Sequence, residues 1–246
     1  MIIPFWFQKQ LENKDKSSVC CGTFFNETNM SKIYIFSGLG ADYRVFEKID
    51  FGDLSIEHIE WISPLEKESM PNYAKRISEK ITAENPILIG LSFGGMMLME
   101  IAKFKKTKQI ILIASAKNKY ELPSVYRFFG KTKLNKFIPN SFLKRTNFIL
   151  YWLFGAKSKE EKFILNSIIK ETDIVFLKWA TNAILNWENI EIPDNVIHIH
   201  GNVDKIIPFK NINADFVIQN GGHLMTINKA KEIENILFEN LLNDSP

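Results

Sequence analysis

Short β-type runs, rich in apolar residues, recur along the chain, and segments with helical spacing lie between most of them. Such runs, bounded by glycine, proline or polar residues, are typical of strands that are buried on both faces of a sheet. The six runs cover residues 33–36, 56–61, 87–90, 109–114, 196–200 and 214–218. Strands that alternate with helices predict an α/β fold, with a mainly parallel sheet of about six strands flanked by helices.

The helical segments follow from the spacing of apolar residues at one side of each segment. They are predicted over residues 41–49, 72–83, directly after Ser92, and over 229–242, where Ile233, Ile236, Leu237 and Leu241 form the apolar face.

The span from about residue 116 to 193 breaks this alternation, because it has several helical stretches and no β-type run. An insertion after a strand of a parallel sheet belongs at the carboxyl edge, where ligands bind in such folds. We therefore predict a helical cap insertion over about 116–193 that covers the ligand site.

The cap insertion is rich in large aromatic side chains, which by default pack the cap onto the sheet. Some of them are expected to line an apolar ligand pocket. The residues are Phe128, Phe129, Phe137, Phe142, Phe148, Tyr151, Trp152, Phe154, Phe163, Phe176, Trp179 and Trp187. Residues 148–154 are apolar on all sides, so this segment is either deeply buried or a surface that meets a partner.

The first 29 residues fit neither pattern. Their apolar start lacks the basic residues of a signal peptide, and residues 8–18 are polar and charged. We interpret residues 1–29 as a tail for which disorder is one expectation, either an extension upstream of a start at Met30 or a surface-docking arm. The folded domain is expected over residues 30–242.

Composition favours an ordinary soluble domain. The chain has 246 residues, of which 46% are hydrophobic and 24% charged. No window approaches the roughly 18 apolar residues of a membrane span, so no transmembrane segment is expected. The two cysteines, Cys20 and Cys21, are adjacent and form no disulfide framework. They fit a reducing compartment, which predicts a cytoplasmic protein.

Positive charge is concentrated in one segment. Residues 116–170 carry twelve Lys or Arg and three Glu, a net charge of +9, whereas the whole chain carries +3. The usual explanation is a solvated helical surface. Nucleic-acid binding is not expected, because no recognised binding motif accompanies the charges.

One stretch carries the strongest chemical signal. The run that starts at Ile87 reaches Gly90-Leu-Ser-Phe-Gly94 and then changes to helical spacing, so Ser92 lies where a strand meets a helix. This is the G-x-S-x-G pattern of a nucleophile elbow, in the context that supports it. Glycine-rich turns of this kind also serve phosphate sites and plain packing, so a base and an acid are needed further along the chain.

Both partners occur in the expected order. Asp204 follows the strand at 196–200, and His223 lies in a glycine-rich loop after the last strand. Neutral His223 suits the role of the base that takes the Ser92 proton, and Asp204 would accept the other ring N–H. Asp194 is an alternative acid, but it precedes its strand and would lie at the wrong edge of the sheet.

Two backbone amides are needed to stabilise the oxyanion of a tetrahedral intermediate. The first is the N–H of Phe93, directly after the nucleophile. The second is expected from the loop Ser37-Gly38-Leu39-Gly40 after the first strand, where we assign the N–H of Leu39.

With these motifs the chain resembles the α/β-hydrolase superfamily over approximately residues 30–242. The motifs are Gly38-Leu39-Gly40, Gly90-Leu91-Ser92-Phe93-Gly94, Gly201-Asn202-Val203-Asp204 and Gly222-His223. Its compact form with a helical cap is similar to small carboxylesterases and acyl-thioesterases. The resemblance implies a serine esterase or thioesterase that needs no cofactor. One departure is Ser37, which stands where many members have histidine before the oxyanion glycine.

The other histidines have less specific interpretations. His198 and His200 share one face of a strand and could form a metal pair, but no third ligand is evident. A structural hydrogen-bonding role is the usual one, so no metal is expected. His58 is expected to be structural or exposed.

Two functional classes stay open at this point. The first is hydrolysis of a carboxylic ester or acyl thioester through an acyl-enzyme. The alternative is a non-catalytic ligand-binding or signalling protein that retains the fold. The basic, apolar cap further suggests an anionic acyl carrier or an anionic lipid surface as a partner.

Overall fold

One sheet of parallel strands forms the centre of the computed structural model, which describes residues 32–132 and 146–242. The strand order is β2-β1-β3-β4-β5-β6, and every neighbouring pair is parallel. The strands are β1 (Ile33–Phe36), β2 (Ile56–Ile59), β3 (Ile87–Leu91), β4 (Gln109–Ile113), β5 (Val196–Gly201) and β6 (Phe216–Ile218). The predicted α/β architecture with a six-stranded sheet is therefore confirmed.

α-Helices connect β2 to β3, β3 to β4 and β4 to β5, and two more follow β6. They are α1 (Met70–Ile77), α2 (Phe93–Ile101), α3 (Ser124–Thr132), α4 (Phe148–Phe154), α5 (Lys159–Glu171), α6 (Ile174–Leu185), α7 (Met225–Asn228) and α8 (Ala230–Leu242). None of the helices within residues 32–132 and 146–242 combines the length and apolar character needed to cross a bilayer.

Both faces of the sheet are buried, as the continuous apolar runs predict. Successive side chains of a strand point to opposite faces. In β1, Tyr34 and Phe36 pack into one core cluster, whereas Ile33 and Ile35 pack into the other.

Several element boundaries differ from the sequence predictions. The strand predicted over 56–61 ends at Ile59, because its last partner in β1 is Phe36. The strand predicted to reach Ala114 ends at Ile113, because Ala114 has a φ of 45° and leaves the extended conformation.

Two predicted helices are also shorter than expected. Of residues 41–49, only Tyr43–Phe46 form a 3-10 turn, in which Asp42 accepts a hydrogen bond from the N–H of Arg44 two residues on. Where a helix is predicted over residues 72–83, α1 covers Met70–Ile77, and a 3-10 turn follows over Ser78–Lys80. Helix α1 starts earlier than predicted because Ser69 caps it, its Oγ accepting from the N–H of Asn72.

Helices α3 to α6 lie between β4 and β5 in sequence, where the cap insertion is predicted. The interpretation of residues 1–29 as a tail lies outside the described residues, as do Phe137 and Phe142. The assignment of 30–242 as the domain and 116–193 as the cap stays a prediction.

Helix α4 divides its apolar residues between two environments. Phe148, Ile149 and Trp152 are exposed, Phe148 at 80% of its surface. Leu150 and Phe154, in contrast, line an internal cavity described below. The segment is therefore not deeply buried, and a partner at its exposed face stays a prediction.

Candidate active site

Ser92 occupies a sharp turn between β3, which ends at Leu91, and α2, which starts at Phe93. Its φ of 52° and ψ of −117° lie in a backbone region that costs on the order of 1–3 kcal/mol for a residue other than glycine. The Ser92 N–H donates to the carbonyl of Ile113 in β4, and the Ser115 hydroxyl donates to the Ser92 carbonyl. These contacts hold the strained turn in place.

The elbow glycines are required by close backbone contacts. A Cβ on Gly90 would lie 2.6 Å from the Cα of Gly95, and a Cβ on Gly94 would collide with the carbonyl oxygens of Phe36 and Ser37. Since the colliding atoms are mostly backbone, neither position can accommodate a side chain without moving β1 or α2.

The structure brings Ser92, His223 and Asp204 together from three loops at the carboxyl edge of the sheet. Ser92 Oγ lies 2.8 Å from His223 Nε2, and His223 Nδ1 lies 2.7 Å from Asp204 Oδ2. All three residues are at least partly buried, and Asp204 and His223 are about 95% buried. Asp194, the alternative acid, precedes β5, and the carboxylate bonded to His223 is that of Asp204.

Asp204 is held as a carboxylate. Its Oδ1 accepts hydrogen bonds from the N–H groups of Ile206 and Ile207. Burial alone would raise the pKa of Asp204, but the charge and hydrogen bond of His223 and the Ile207 amide outweigh it, so the pKa lies below its ordinary value. An ionised carboxylate can only accept, so the ring of His223 carries its proton on Nδ1. Nε2 is then free to accept the Ser92 proton.

The loop after β1 passes directly beside the nucleophile. A Cβ on Gly38 would lie 3.6 Å from the Cβ of Ser92, and Gly38 and Leu39 line the same cavity as Ser92 and Phe93. Because Phe93 is the first residue of α2, its N–H has no acceptor within the helix. Leu39 and Phe93, which carry the two assigned oxyanion donors, therefore line the same cavity as Ser92.

Ser37 stands where many α/β-hydrolases have histidine, and its side chain forms a hydrogen bond within this loop. Its side chain is fully buried, and its Oγ donates to the carbonyl of Ala41 at 2.5 Å. This hydrogen bond joins the two residues that flank the loop Gly38-Leu39-Gly40.

A cavity of about 390 Å³ opens from Ser92 and His223 beneath the helices between β4 and β5. Its wall is mainly aliphatic, and the described residues that line it include no Lys, Arg, Asp or Glu. The aliphatic residues are Leu39, Ala41, Val45, Leu91, Met96, Leu122, Leu150, Leu165, Ile168, Ile169, Leu177, Ile184, Leu185, Ile206, Ile207 and Leu224.

The aromatic residues of the cap contribute less to this cavity than predicted. Of the described members of that set, only Phe154 lines it. Phe176 and Trp179 instead pack with Trp61, Tyr73 and Phe93 in an aromatic cluster against the sheet. The aliphatic lining was missed because the sequence does not show which residues of α5 and α6 point inward.

His198 and His200 lie within hydrogen-bond distance of each other, and His200 Nε2 also lies 3.7 Å from Asp204 Oδ2. Both are fully buried in β5, with His198 Nε2 at 3.3 Å from His200 Nδ1, and His200 Nε2 donates to the carbonyl of Ile207. Within the described ranges no group of three or more His, Cys, Asp or Glu is arranged to hold a metal ion. His58 is half-buried in β2.

The buried pair predicts a pH-dependent stability. Burial lowers the pKa of both rings from 6.5; His200 and Lys117 lower that of His198 further, and Asp204 partly offsets the effect at His200. Below pH 6.5 the unfolded chain binds protons that the folded protein does not, so stability falls as pH falls. Each ring contributes a slope of up to about 1.4 kcal/mol per pH unit. The pKa of Asp204 lies below its ordinary value, so Asp204 does not contribute in this window.

Urea unfolding between about pH 7 and pH 5 measures this effect. We expect the free energy of unfolding to decrease steadily over that window. The variant His198→Gln, which removes one buried titrating group, should show a shallower decrease. A His198→Gln variant whose stability depends on pH as steeply as that of the wild type would contradict the assignment of a neutral buried ring at His198. This comparison is the test, because His58, whose pKa burial lowers, and Glu121, whose pKa burial raises, also affect the total slope.

Comparison with known proteins identifies the fold. No protein-family model matches the sequence, and no curated protein matches it either. Among solved structures, a hydrolase from Oleispira antarctica is similar at a TM-score of 0.64 and 15% identity, covering 87% of this chain and 92% of that one.

Two esterases give similar values. That of Thermogutta terrifontis matches at a TM-score of 0.60 and 13% identity, covering 87% of this chain and 90% of that one. That of Exiguobacterium antarcticum matches at 0.61 and 14%, covering 86% and 91%.

These similarities, together with the strand order and the elbow, show that the chain has the α/β-hydrolase fold. The resemblance inferred from the four sequence motifs is thereby confirmed at the level of fold. Because one fold hosts many reactions, the function has to be argued from the site.

Proposed function

We propose that the protein is a serine hydrolase that cleaves a carboxylic ester or acyl thioester through an acyl-enzyme on Ser92. The observation that carries this proposal is the continuous hydrogen-bonded chain from Ser92 through His223 to Asp204, at the mouth of an apolar cavity. The fold similarity to two proteins described as esterases is consistent with it.

The chemistry follows from the proton positions. Ser92 Oγ attacks the acyl carbon while its proton passes to His223 Nε2, and the N–H groups of Leu39 and Phe93 stabilise the oxyanion. The bond to the leaving alcohol or thiol then breaks, and the leaving group takes the proton from His223. Water attacks the resulting acyl-Ser92 with His223 again as base, and the carboxylic acid is released.

The cavity wall indicates the nature of the acyl group. Among the described residues the wall is aliphatic and has no charged side chain, which favours a flexible apolar acyl chain over a charged or strongly polar one. Helix α4 forms part of this wall, since Leu150 and Phe154 line the cavity, while Phe148 of the same helix is exposed.

A graded series of p-nitrophenyl esters tests the acyl preference. We expect kcat/KM to rise with acyl length from acetyl until the cavity is filled, by about fourfold for each methylene, because each buried methylene contributes about 0.8 kcal/mol. The matched control is an ester of equal length that ends in a carboxylate, which should be a poor substrate because its charge would be buried without a partner.

A flat length dependence, or equal rates for the apolar and carboxylate-ended esters, would contradict the proposed acyl site. Comparing the best p-nitrophenyl ester with the thioester of the same acyl group then separates esterase from thioesterase activity. A protein that binds these compounds without turnover would instead support the non-catalytic alternative.

A further inference from the structure

Trp61 contacts the proposed oxyanion hole from outside the cavity. It lies two residues beyond the end of β2, and its Nε1–H donates to the carbonyl oxygen of Gly38 at 3.1 Å. Trp61 does not line the apolar cavity; it lines a second cavity together with His58 and Glu60. Any effect of Trp61 on the reaction must therefore pass through the groups that it contacts, the Gly38 carbonyl among them.

The bonded carbonyl and the assigned oxyanion donor belong to one peptide unit. The carbonyl of Gly38 and the N–H of Leu39 point in opposite directions, because the peptide is planar and trans. Holding the carbonyl on the Trp61 side consequently directs the N–H to the other side of the loop. Accepting a hydrogen bond at the carbonyl also polarises the peptide and strengthens its N–H as a donor.

The glycines beside this peptide permit several backbone conformations, so hydrogen bonds are needed to fix its orientation. Gly38 and Gly40 flank Leu39, and Gly40 adopts a φ of 67° that other residues rarely take. The Gly38 carbonyl accepts a second hydrogen bond from the N–H of Ala41 at 3.0 Å, which closes the turn. Among the described hydrogen bonds, that from the Trp61 indole is the one that joins the Gly38 carbonyl to another part of the chain, the segment after β2.

The Trp61 ring also contacts Phe93, whose N–H is the other assigned oxyanion donor. The rings of Trp61 and Phe93 have centroids 5.2 Å apart, and the Trp61 ring lies 5.4 Å from that of Phe176 in α6. Phe36, which immediately precedes the loop, is also in contact, at 6.0 Å. One side chain thus touches both halves of the proposed oxyanion hole and a helix of the predicted cap.

We propose that Trp61 is a positioning residue that fixes the Gly38–Leu39 peptide so that the Leu39 N–H faces the developing oxyanion. This inference rests on the proposed serine hydrolase function. It assigns a role to the residue that follows β2, a segment that the sequence motifs left without function.

The test compares Trp61→Phe with Trp179→Phe. Trp179 belongs to the same aromatic cluster, and its Nε1–H likewise donates to a backbone carbonyl, that of Glu68, at 2.8 Å. Both variants lose one indole-to-carbonyl hydrogen bond and keep an aromatic ring. Only Trp61→Phe removes a hydrogen bond to the oxyanion loop, so Trp179→Phe controls for the general loss of packing and of a hydrogen bond.

For Trp61→Phe we expect kcat to fall by about 10- to 100-fold with KM changed by less than about twofold, since the loop is needed mainly in the transition state. A trifluoromethyl ketone, which forms an oxyanion on Ser92, should bind more weakly by a similar factor, whereas the carboxylic acid product should bind as before. Trp179→Phe should leave all of these values near those of the wild type.

Two failures can be told apart. If Ser92 reacts in the wild type and the two variants have the same kcat and ketone affinity, the role of Trp61 is refuted and the hydrolase proposal stands. If wild-type Ser92 does not react with esters or with a fluorophosphonate, both the hydrolase proposal and the role of Trp61 are refuted.

A measurement on the wild type covers the case in which Trp61→Phe does not fold. In protein labelled with ¹⁵N-leucine and ¹⁵N-tryptophan, binding of the trifluoromethyl ketone should shift the Leu39 amide and the Trp61 indole resonances together. The Trp187 indole, which donates to Glu100 away from the loop, should stay in place. A Leu39 amide that does not move would overturn the inference.

Discussion

Replacing Ser92 with alanine is expected to lower kcat for the best ester substrate by about 10⁵- to 10⁶-fold. The hydroxyl is the nucleophile in the proposed reaction, and it is the partner of His223 Nε2 among the described hydrogen bonds. Residual activity comes only from binding and from the oxyanion donors. The assay is hydrolysis of the p-nitrophenyl ester with the highest kcat/KM, at substrate concentrations that give kcat and KM separately.

The control for this experiment is Ser124→Ala, which changes an exposed serine at the start of α3. It should retain full activity. Ser92→Ala should also keep the unfolding midpoint of the wild type to within a few degrees, because alanine carries the same Cβ at the strained position. Loss of activity with intact folding assigns the effect to chemistry, while activity that survives the substitution contradicts the proposed nucleophile.

Replacing Asp204 with asparagine has the second largest expected effect, a decrease in kcat of about 10³- to 10⁴-fold. The amide is nearly isosteric and can still accept from the N–H groups of Ile206 and Ile207 through its oxygen. It then presents an NH₂ group to His223 Nδ1, which favours the tautomer with the proton on Nε2. That tautomer cannot accept the Ser92 proton, and the imidazolium loses its neighbouring negative charge.

The matched control is Asp194→Asn, which changes the other carboxylate near β5. It should alter kcat by less than about twofold, since Asp194 precedes the strand. A large loss in Asp194→Asn with little loss in Asp204→Asn would reverse the assignment of the acid. Equal small losses in both variants would show that no carboxylate is needed.

The fold could be predicted from sequence because its strands are buried on both faces. Burial on both faces produces continuous apolar runs such as Ile33–Phe36, which stand out from the helical segments around them. The ends of the elements were less predictable, because they depend on tertiary contacts. β2 stops at Ile59 only because β1 stops at Phe36, and no local signal marks that point.

The part of the candidate site that requires glycine at fixed backbone positions could be predicted from the sequence. Gly90 and Gly94 are needed at the elbow, and their spacing along the chain is enough to identify Ser92 as the candidate nucleophile. Asp204 and His223 followed from their positions after strands, since parallel strands end at one edge.

Residues whose role depends on where the side chain points could not be predicted from the sequence. Trp61 lies beyond the end of its strand, so neither strand nor helix periodicity predicts that its indole reaches Gly38. The only available signal was an aromatic residue with a hydrogen-bond donor at the carboxyl edge of the sheet. The aliphatic wall of the cavity was hidden for a related reason, because α5 and α6 carry apolar residues on more than one face.

The most direct test of the central claim is covalent labelling with a fluorophosphonate, followed by peptide mapping. The phosphorus is attacked by an activated serine, the fluoride leaves, and the adduct stays on the nucleophile. We predict one modified peptide, that containing Ser92, and a labelling rate that falls by several orders of magnitude in His223→Ala. Wild-type protein that stays unlabelled at Ser92, or labelling that is as fast in His223→Ala, would contradict an activated nucleophile at this site.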